Sequence, residues 1–274
     1  MPDLDPLRPA ELVRRLAARR RLAREVRILA ACPSTSDLLK AALAETPPPP
    51  DGLLLAAESQ TGGRGRRARD WWSGPPASNL AVSLLVDPPP HPGETLGLLA
   101  ACALAAALRP WTEARIALKW PNDLLLDGAK IAGVLVEMPA GAGKAAILGM
   151  GVNVHAAPPA AAAAGPVTCL ADRSARLPDR TVILAAWLWE FEMRLARLAA
   201  EGPQRLEGEF LELLRAWAPH GVRMREASGS QSPDVAGPVL EFSVSQGLTW
   251  GPKTAPITRP LGWIPALEPL PPAP

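Results

Sequence analysis

Short runs of apolar residues, separated by polar turns, recur along the first 154 positions with the length that is typical of β-strands. The predicted strands cover residues 25–31, 52–58, 79–86, 115–119, 124–126, 130–138 and 145–154. Longer stretches with helical periodicity, or rich in alanine and leucine, predict helices over residues 37–45, 93–108, 181–200 and 203–217. The whole pattern predicts an α+β protein with a mixed, mostly antiparallel sheet flanked by helices.

One predicted hairpin gathers charged and polar residues. Asp127-Gly128 between two apolar runs is typical of a two-residue type I′ loop. The hairpin would hold Lys119 and Lys130 near its opposite ends, with the turn residues Asn122-Asp123 beside them. We therefore expect a cleft that binds a phosphate-bearing ligand, and a surface hairpin with solvated lysines is the alternative.

The N-terminal part and one internal segment differ from the rest of the chain. Residues 11–25 predict a basic helix with Leu12 and Leu16 on one side and a solvated face of arginines. Residues 1–25 would then form a basic arm that precedes a main domain over residues 26–217. Alanine and proline dominate residues 156–167, which predicts a linker.

The C-terminal region, residues 218–274, predicts a degenerate small β region and a proline-rich tail. Only residues 221–225 and 239–244 have the pattern of strands. Because proline cannot donate to a sheet ladder, further strands would be interrupted by Pro252, Pro256, Pro260 and Pro265. We therefore expect an irregular chain after about residue 245.

Composition narrows the classes of protein. With 274 residues, 48% of them hydrophobic, the chain can bury a core, and its net charge of +2 gives no global argument for nucleic-acid binding. The three cysteines and three histidines lack the spacing of a disulfide framework or a metal site. The longest apolar run, residues 96–108, is too short to span a bilayer, and the N-terminus does not resemble a signal peptide, so we expect a cytoplasmic protein.

Glycine, arginine and tryptophan are concentrated in residues 60–73, QTGGRGRRARDWWS. Glycine lets main-chain N–H groups approach a ligand, arginine offers paired donors to phosphate or carboxylate, and tryptophan can cover a planar ring. This run predicts an anionic ligand. An RNA-binding module, with Trp71 and Trp72 stacking on bases, is the alternative, but it leaves residues 119–123 unexplained.

Taken in order, these motifs resemble those of the biotin protein ligases. The resemblance extends over residues 26–215. It rests on Ser34-Thr35-Ser36, Ala57-Glu58-Ser59-Gln60, Gly63-Arg64-Gly65-Arg66-Arg67, Lys119-Trp120-Pro121-Asn122-Asp123, Lys130-Ile131-Ala132-Gly133 and Gly149-Met150-Gly151-Val152-Asn153. Ser36 departs from the family pattern, which usually has asparagine there. Lipoate ligases share the fold, but their arginine-rich loop follows a different pattern and residues 119–123 are not typical of them.

The resemblance implies a class II synthetase-like biotin/lipoate ligase fold and a reaction that uses ATP, Mg²⁺ and biotin. It assigns catalysis to Lys130, Arg64 and Arg66. The implied biotin-binding residues are Ser34, Thr35, Ser36, Gln60, Gly63, Arg64, Gly65, Arg66, Lys130 and Gly133. The implied nucleotide-binding residues are Arg67, Arg69, Trp71, Lys119, Asn122, Asp123 and Asn153, with Trp71 as a lid over adenine and Asp123 as an indirect magnesium ligand.

The resemblance also implies a partner, a biotin carboxyl carrier protein that receives biotin on a lysine. A lipoate or octanoate ligase of the same fold is the alternative enzyme. Repressors of this family add an N-terminal winged helix, and only about 25 residues precede the first predicted strand, so we expect no DNA binding. We also expect no membrane association, and a monomer or weak homodimer.

Overall fold

Seven strands form the main sheet of the computed structural model, which describes residues 4–16, 22–86, 93–139, 145–224, 235–264 and 266–272. The strands are β1 Glu25–Leu29, β2 Leu53–Ala57, β3 Leu80–Val86, β4 Ile116–Lys119, β5 Asp123–Leu126, β6 Ala129–Glu137 and β7 Ala146–Val152. Their spatial order is β1-β2-β3-β7-β6-β5-β4, and within this sheet only β1 and β2 pair in parallel. The predicted mixed, mostly antiparallel sheet is confirmed.

Helices cover both faces of this sheet. Helix α2, Thr35–Leu43, lies on β2, β3 and β7 over a small apolar cluster that includes Leu39 and Ile147. The larger core lies on the other face, because side chains alternate along each strand. It is covered by α3 Gly93–Leu108, α4 Arg180–Glu201 and α5 Gln204–Trp217. No helix among the described residues is long and apolar enough to cross a membrane.

The hairpin between β5 and β6 has the predicted turn. Asp127 has a φ of 46° and Gly128 a φ of 82°, the two positive values that a type I′ loop requires. In the register of this hairpin, Asp123 lies opposite Gly133 and Lys130 lies opposite Leu125, so Asp123 and Lys130 are diagonal to each other across β5 and β6.

The N-terminal segment docks on the main domain, and its helix is shorter than the predicted span of residues 11–25, because residues 22–24 are not helical. Helix α1 is Pro9–Arg15, and residues 17–21 lie outside the described part. α1 packs against α4 and β1, and its leucine side, Leu12 with Leu16, is buried as the periodicity predicted. Burial of these leucines offsets the entropy that docking costs.

A buried ion pair fixes the segment in place. Arg180, at the start of α4, is 3% exposed, and its Nη1 lies 2.8 Å from Glu58 Oε2. The same guanidinium donates to the main-chain carbonyls of Asn79 and Asp5. Glu58 Oε1 in turn accepts the N–H of Leu7 at 2.6 Å. One charged pair thus joins the N-terminal segment, the end of β2 and helix α4.

Replacing Arg180 with alanine is expected to lower the free energy of unfolding by about 3–5 kcal/mol, because it leaves the Glu58 carboxylate buried without its cation. Urea denaturation measures this loss. Arg8→Ala is the matched control, since the ion pair of Arg8 with Asp179 is solvent-exposed and worth about 0–1 kcal/mol. Equal losses in the two variants would contradict the role given to Arg180.

Residues 222–269 contain two small antiparallel sheets, so the expectation of an irregular chain after residue 245 is wrong. The first sheet consists of β10 Val239–Ser243, β11 Gly247–Trp250 and β12 Ile257–Arg259. The second consists of β8 Val222–Met224, β9 Ala236–Gly237 and β13 Leu267–Pro269. β8 and β10 confirm the two strands that the pattern predicted in this region.

The prolines do not interrupt these strands, because they lie in the connections. Pro252 and Pro256 fall between β11 and β12, and Pro260 follows β12, while Pro265 lies outside the described residues. The region packs on the main domain, where Trp120 Nε1 donates to the carbonyl of Ile264 at 3.3 Å. The division of the chain at residue 217 stays a prediction.

Candidate functional site

The residues that the motifs single out surround one cavity of about 1100 Å³. Its walls come from the start of α2, from strands β3 to β7 and from residues 61–73, which we call the Gly-Arg loop. The sequence candidates that line it are Ser34, Thr35, Ser36, Gln60, Arg64, Gly65, Arg66, Arg67, Arg69, Trp71, Lys119, Asn122, Asp123, Lys130, Gly133 and Asn153. Gly63 is the exception: a Cβ there would lie 2.7 Å from the Trp71 carbonyl oxygen, so this glycine allows the loop to pack on itself.

Three buried hydroxyl groups, Thr35, Ser36 and Ser83, form a hydroxyl row on one side of the cavity. Ser83 Oγ lies 2.7 Å from Thr35 Oγ1 and 2.9 Å from Ser36 Oγ. Gln60 Oε1 accepts both the N–H of Thr35 at 2.8 Å and its hydroxyl at 3.1 Å. Ser34 caps helix α2 by accepting the N–H of Asp37 at 3.3 Å.

Ser83 was not a candidate in the sequence, because it lies inside the apolar run of β3. Its only signal is a hydroxyl among aliphatic neighbours, which strands tolerate without any function. The pairing of β3 with β7 sets Ser83 opposite Gly149, and a Cβ on Gly149 would lie 3.1 Å from Ser36 Oγ. The glycine therefore leaves room for the hydroxyl row.

The indole of Trp71 lies against the sheet. A Cβ on Gly151 would come within 2.2 Å of Trp71 Cε2, so only glycine allows this contact. Gly133, paired with Gly151 across β6 and β7, borders the other edge of the ring. The indole Nε1 is buried without a hydrogen-bond partner. In this position the ring forms part of the cavity wall, and its action as a lid over adenine stays a prediction.

Lys130 stands at the centre of the charged part of the cavity. Its Nζ lies 2.8 Å from Asp123 Oδ1 and 5.5 Å from the centroid of the Trp71 ring. The ion pair and the aromatic face hold the ammonium group in one place, which favours electrostatic stabilisation of a reacting group. Because Asp123 is already paired, and the described residues contain no group of three possible metal ligands, a metal site made by the protein alone is not supported.

The Gly-Arg loop adds further positive charge to the cavity. Arg64 Nη2 lies 3.0 Å from Asp37 Oδ2, and Asp37 also pairs with Lys40. Arg67 adopts a left-handed φ of 56° at the tight turn of the loop. Burial lowers the pKa of Arg66, and the neighbouring Arg67 lowers it further, while Asp123 opposes this. The loop thus brings a dense cationic group to the cavity, Arg64, Arg66, Arg67 and Arg69, which suits an anion.

Two asparagines brace the cavity wall. Asn122 Nδ2 donates to the carbonyl of Val134 at 2.6 Å, and Asn153 Nδ2 donates to that of Thr168 at 3.1 Å. Asn153 Oδ1 is buried and has no partner. Asn122 therefore braces the wall with its amide group, Asn153 keeps a free acceptor at the cavity, and nucleotide binding by either residue stays a prediction.

Residues 156–167, the predicted linker, belong to the connection between β7 and α4, and part of this segment also forms a wall of the cavity. Lys130 N–H donates to the carbonyl of Pro166, and Thr168 N–H donates to that of Lys130. This pairing holds the alanine-rich segment beside β6, where Pro158 and residues 162–167 line the cavity. Trp217, at the end of α5, and β13 also contribute to the lining, and no local signal in the sequence indicated either.

A family model for biotin/lipoate A/B protein ligases matches residues 29–153, the stretch that supplies most of the cavity wall. Residues 29–153 therefore form a domain of the biotin/lipoate A/B protein ligase family. The ligase domain begins at the end of β1 and includes β2 to β7 with helices α2 and α3.

The ligase domain has close relatives. Over 110 residues, the chain is 44% identical to a biotin–acetyl-CoA-carboxylase ligase of Paracoccus denitrificans, in a match that covers 38% of this chain and 45% of that protein. Over 150 residues, it is 36% identical to a protein of the same name from Mycobacterium tuberculosis, covering 53% and 54% respectively. The chain thus spans about half the length of these relatives.

The fold extends beyond the matched sequence. The biotin protein ligase of Aquifex aeolicus, solved in complex with biotin and ATP, superposes with a TM-score of 0.72 over 86% of this chain and 95% of that chain. The two sequences are 23% identical in this superposition. This similarity shows a shared fold that reaches well outside residues 29–153.

Proposed function

We propose that the protein is an ATP-dependent biotin ligase, which activates biotin as biotinyl-5′-AMP and transfers it to a lysine of a biotin carboxyl carrier protein. The observation that carries the proposal is that one cavity contains both the hydroxyl row and the cationic group around Lys130. One ligand can therefore place a neutral polar head at the hydroxyl row and a reacting carboxylate at the cationic group. The ligase family match and the names of the two relatives support this reading.

In the first step, the biotin carboxylate attacks the α-phosphorus of ATP, and pyrophosphate leaves. Negative charge accumulates around the phosphoryl group, where Lys130, Arg64 and Arg66 can stabilise it. Magnesium would enter with the ATP phosphates, because the protein offers Asp123 beside its lysine rather than a cluster of carboxylates. The Gly-Arg loop would shield the mixed anhydride from water.

In the second step, the amine of the carrier lysine attacks the activated carbonyl carbon of biotin, AMP leaves, and an amide bond forms. The energy of the mixed anhydride drives this transfer, so no protein nucleophile is required. All three cysteines of the chain are buried, and burial raises the pKa of Cys102 to about 12. A thiolate nucleophile at that position is therefore unsuited to the reaction.

Biotin-dependent exchange of labelled pyrophosphate into ATP tests the first step directly. We expect exchange with biotin and much less with lipoate or octanoate run in parallel. A preference for lipoate or octanoate would support the alternative ligase, and no exchange with any of the three acids would contradict the proposal. Incorporation of labelled biotin into a carrier domain tests the second step.

The Gly-Arg loop is expected to be protected from trypsin by biotin with ATP. Four arginines offer cleavage sites in the loop, and all four are exposed, so closure of the loop over a bound ligand would restrict access to them. The measurement is the rate of cleavage within residues 61–73, resolved by mass spectrometry. Cleavage at Arg205, an exposed site on α5 outside the cavity, is the internal control, and equal rates in the loop with and without ligand would argue against closure.

A further inference from the structure

In the hydroxyl row, each hydroxyl proton has only one possible acceptor. The N–H of Thr35 requires an acceptor, so the Gln60 amide must present its oxygen to Thr35. A carboxamide oxygen cannot donate. The 3.1 Å contact between Thr35 Oγ1 and Gln60 Oε1 therefore uses the hydroxyl proton of Thr35.

The remaining directions follow in turn. Thr35 has no second proton, so at its 2.7 Å contact it accepts from Ser83. Ser83 then has no proton left, so at 2.9 Å it accepts from Ser36. The protons run in one direction, from Ser36 to Ser83 to Thr35 to Gln60. Any other arrangement sets two lone pairs against each other in a buried site.

This direction determines what the cavity offers a ligand. All three hydroxyl protons are used in hydrogen bonds within the row. Toward the cavity, the row can therefore only accept hydrogen bonds, chiefly through the lone pairs of Ser36. Ser34 differs, because it accepts the N–H of Asp37 and keeps its own proton. The site therefore has an accepting edge at Ser36 and a donating group at Ser34. A ligand that places N–H groups beside a carbonyl matches both.

We propose that Ser83 is a positioning residue that sets the direction of this network and thereby selects a ligand with N–H donors next to a carbonyl, such as a cyclic urea. The inference rests on the proposed function, because the ureido ring of biotin carries two N–H groups around one carbonyl. Ser83 acts through Ser36 and Thr35, and its effect concerns recognition of the ligand head rather than chemistry at the carboxylate.

The test compares two ligands by calorimetry: biotin, and an analogue in which one ureido N–H is replaced by a ring oxygen. The wild type is expected to prefer biotin by about 10-fold or more, because the ring oxygen sets a lone pair against the accepting edge. In Ser83→Ala the proton of Ser36 is released and can donate to that oxygen. The preference is then expected to fall about 10-fold, with the KM for biotin raised and kcat close to that of the wild type.

Two further variants keep the test decisive. Ser78→Ala removes another buried serine, one that bonds to the Pro75 carbonyl outside the cavity, and should leave the preference unchanged. Thr35→Val keeps the shape of the side chain but cuts the link between Ser83 and Gln60, so it should lower the preference even if Ser83→Ala fails to fold.

The outcomes separate the inference from the proposed function. A wild type that binds neither ligand would overturn the proposed function itself. Equal binding of both ligands by the wild type would overturn the inference and leave the proposed function standing. The same holds if a folded Ser83→Ala or Thr35→Val variant loses affinity for both ligands by the same factor. A lower preference for biotin in Ser83→Ala and Thr35→Val, but not in Ser78→Ala, would establish the inference.

Discussion

Lys130→Ala is expected to lower biotin-dependent pyrophosphate exchange by about 100- to 1,000-fold while weakening biotin binding far less. The ammonium group is held by Asp123 and by the face of Trp71, so it needs no reorganisation when negative charge develops at the phosphoryl group. Its effect should therefore be largest in the transition state. Exchange kinetics and calorimetric biotin affinity, measured on the same preparation, separate the two contributions.

Lys253→Ala is the matched control, because Lys253 is exposed and lies outside the cavity lining. It removes one positive charge without touching the site. Near-normal exchange by Lys130→Ala, or equal losses of exchange in the two variants, would contradict the role of Lys130 in stabilising the transition state.

Trp250→Ala is expected to lower the free energy of unfolding by about 3–5 kcal/mol, the usual cost of truncating a buried tryptophan. The side chain has no exposed surface, and its Nε1 donates to the carbonyl of Val235 at 3.0 Å. For a chain of this size, such a loss lowers the melting temperature by about 6–20 °C. Thermal unfolding followed by circular dichroism measures the shift.

The same region supplies the control. Trp263 is 75% exposed, so Trp263→Ala should change the melting temperature little. Deleting the chain after Ser245 removes β11, β12 and β13, and β13 lines the cavity, so exchange activity should fall together with stability. A truncated protein that melts and exchanges like the full chain would contradict the packing of these strands on the main domain.

Local chemistry was enough to predict the main sheet. Asp127-Gly128 makes the predicted type I′ turn because this turn depends only on residues within a few positions. Apolar runs of strand length located β1 to β7 in the same way. The cationic residues of the cavity were also found, since charge in a glycine-rich run is visible without a structure.

Contacts between distant segments could not be predicted in this way. Ser83 reaches the hydroxyl groups of Thr35 and Ser36 only because β3 pairs with β7 and α2 lies above both strands. The alanine-rich segment of residues 158–167 forms a wall only because it pairs with Lys130. The C-terminal strands form because Pro252, Pro256 and Pro260 lie in the connections between them. In each case the local sequence pattern carries no information about the contact, and tertiary packing decides the structure.

The place of β7 also has a consequence for synthesis on the ribosome. β1 to β3 and β4 to β6 can pair in the order in which they emerge, but β7, the last of the seven, is inserted between β3 and β6. Ser83, Gly151 and Gly133 lie on three adjacent strands across this junction. A nascent chain whose residues 146–152 have not yet left the ribosome therefore exposes the edges of β3 and β6 and lacks part of the cavity wall. During this interval, pairing with another chain competes with folding.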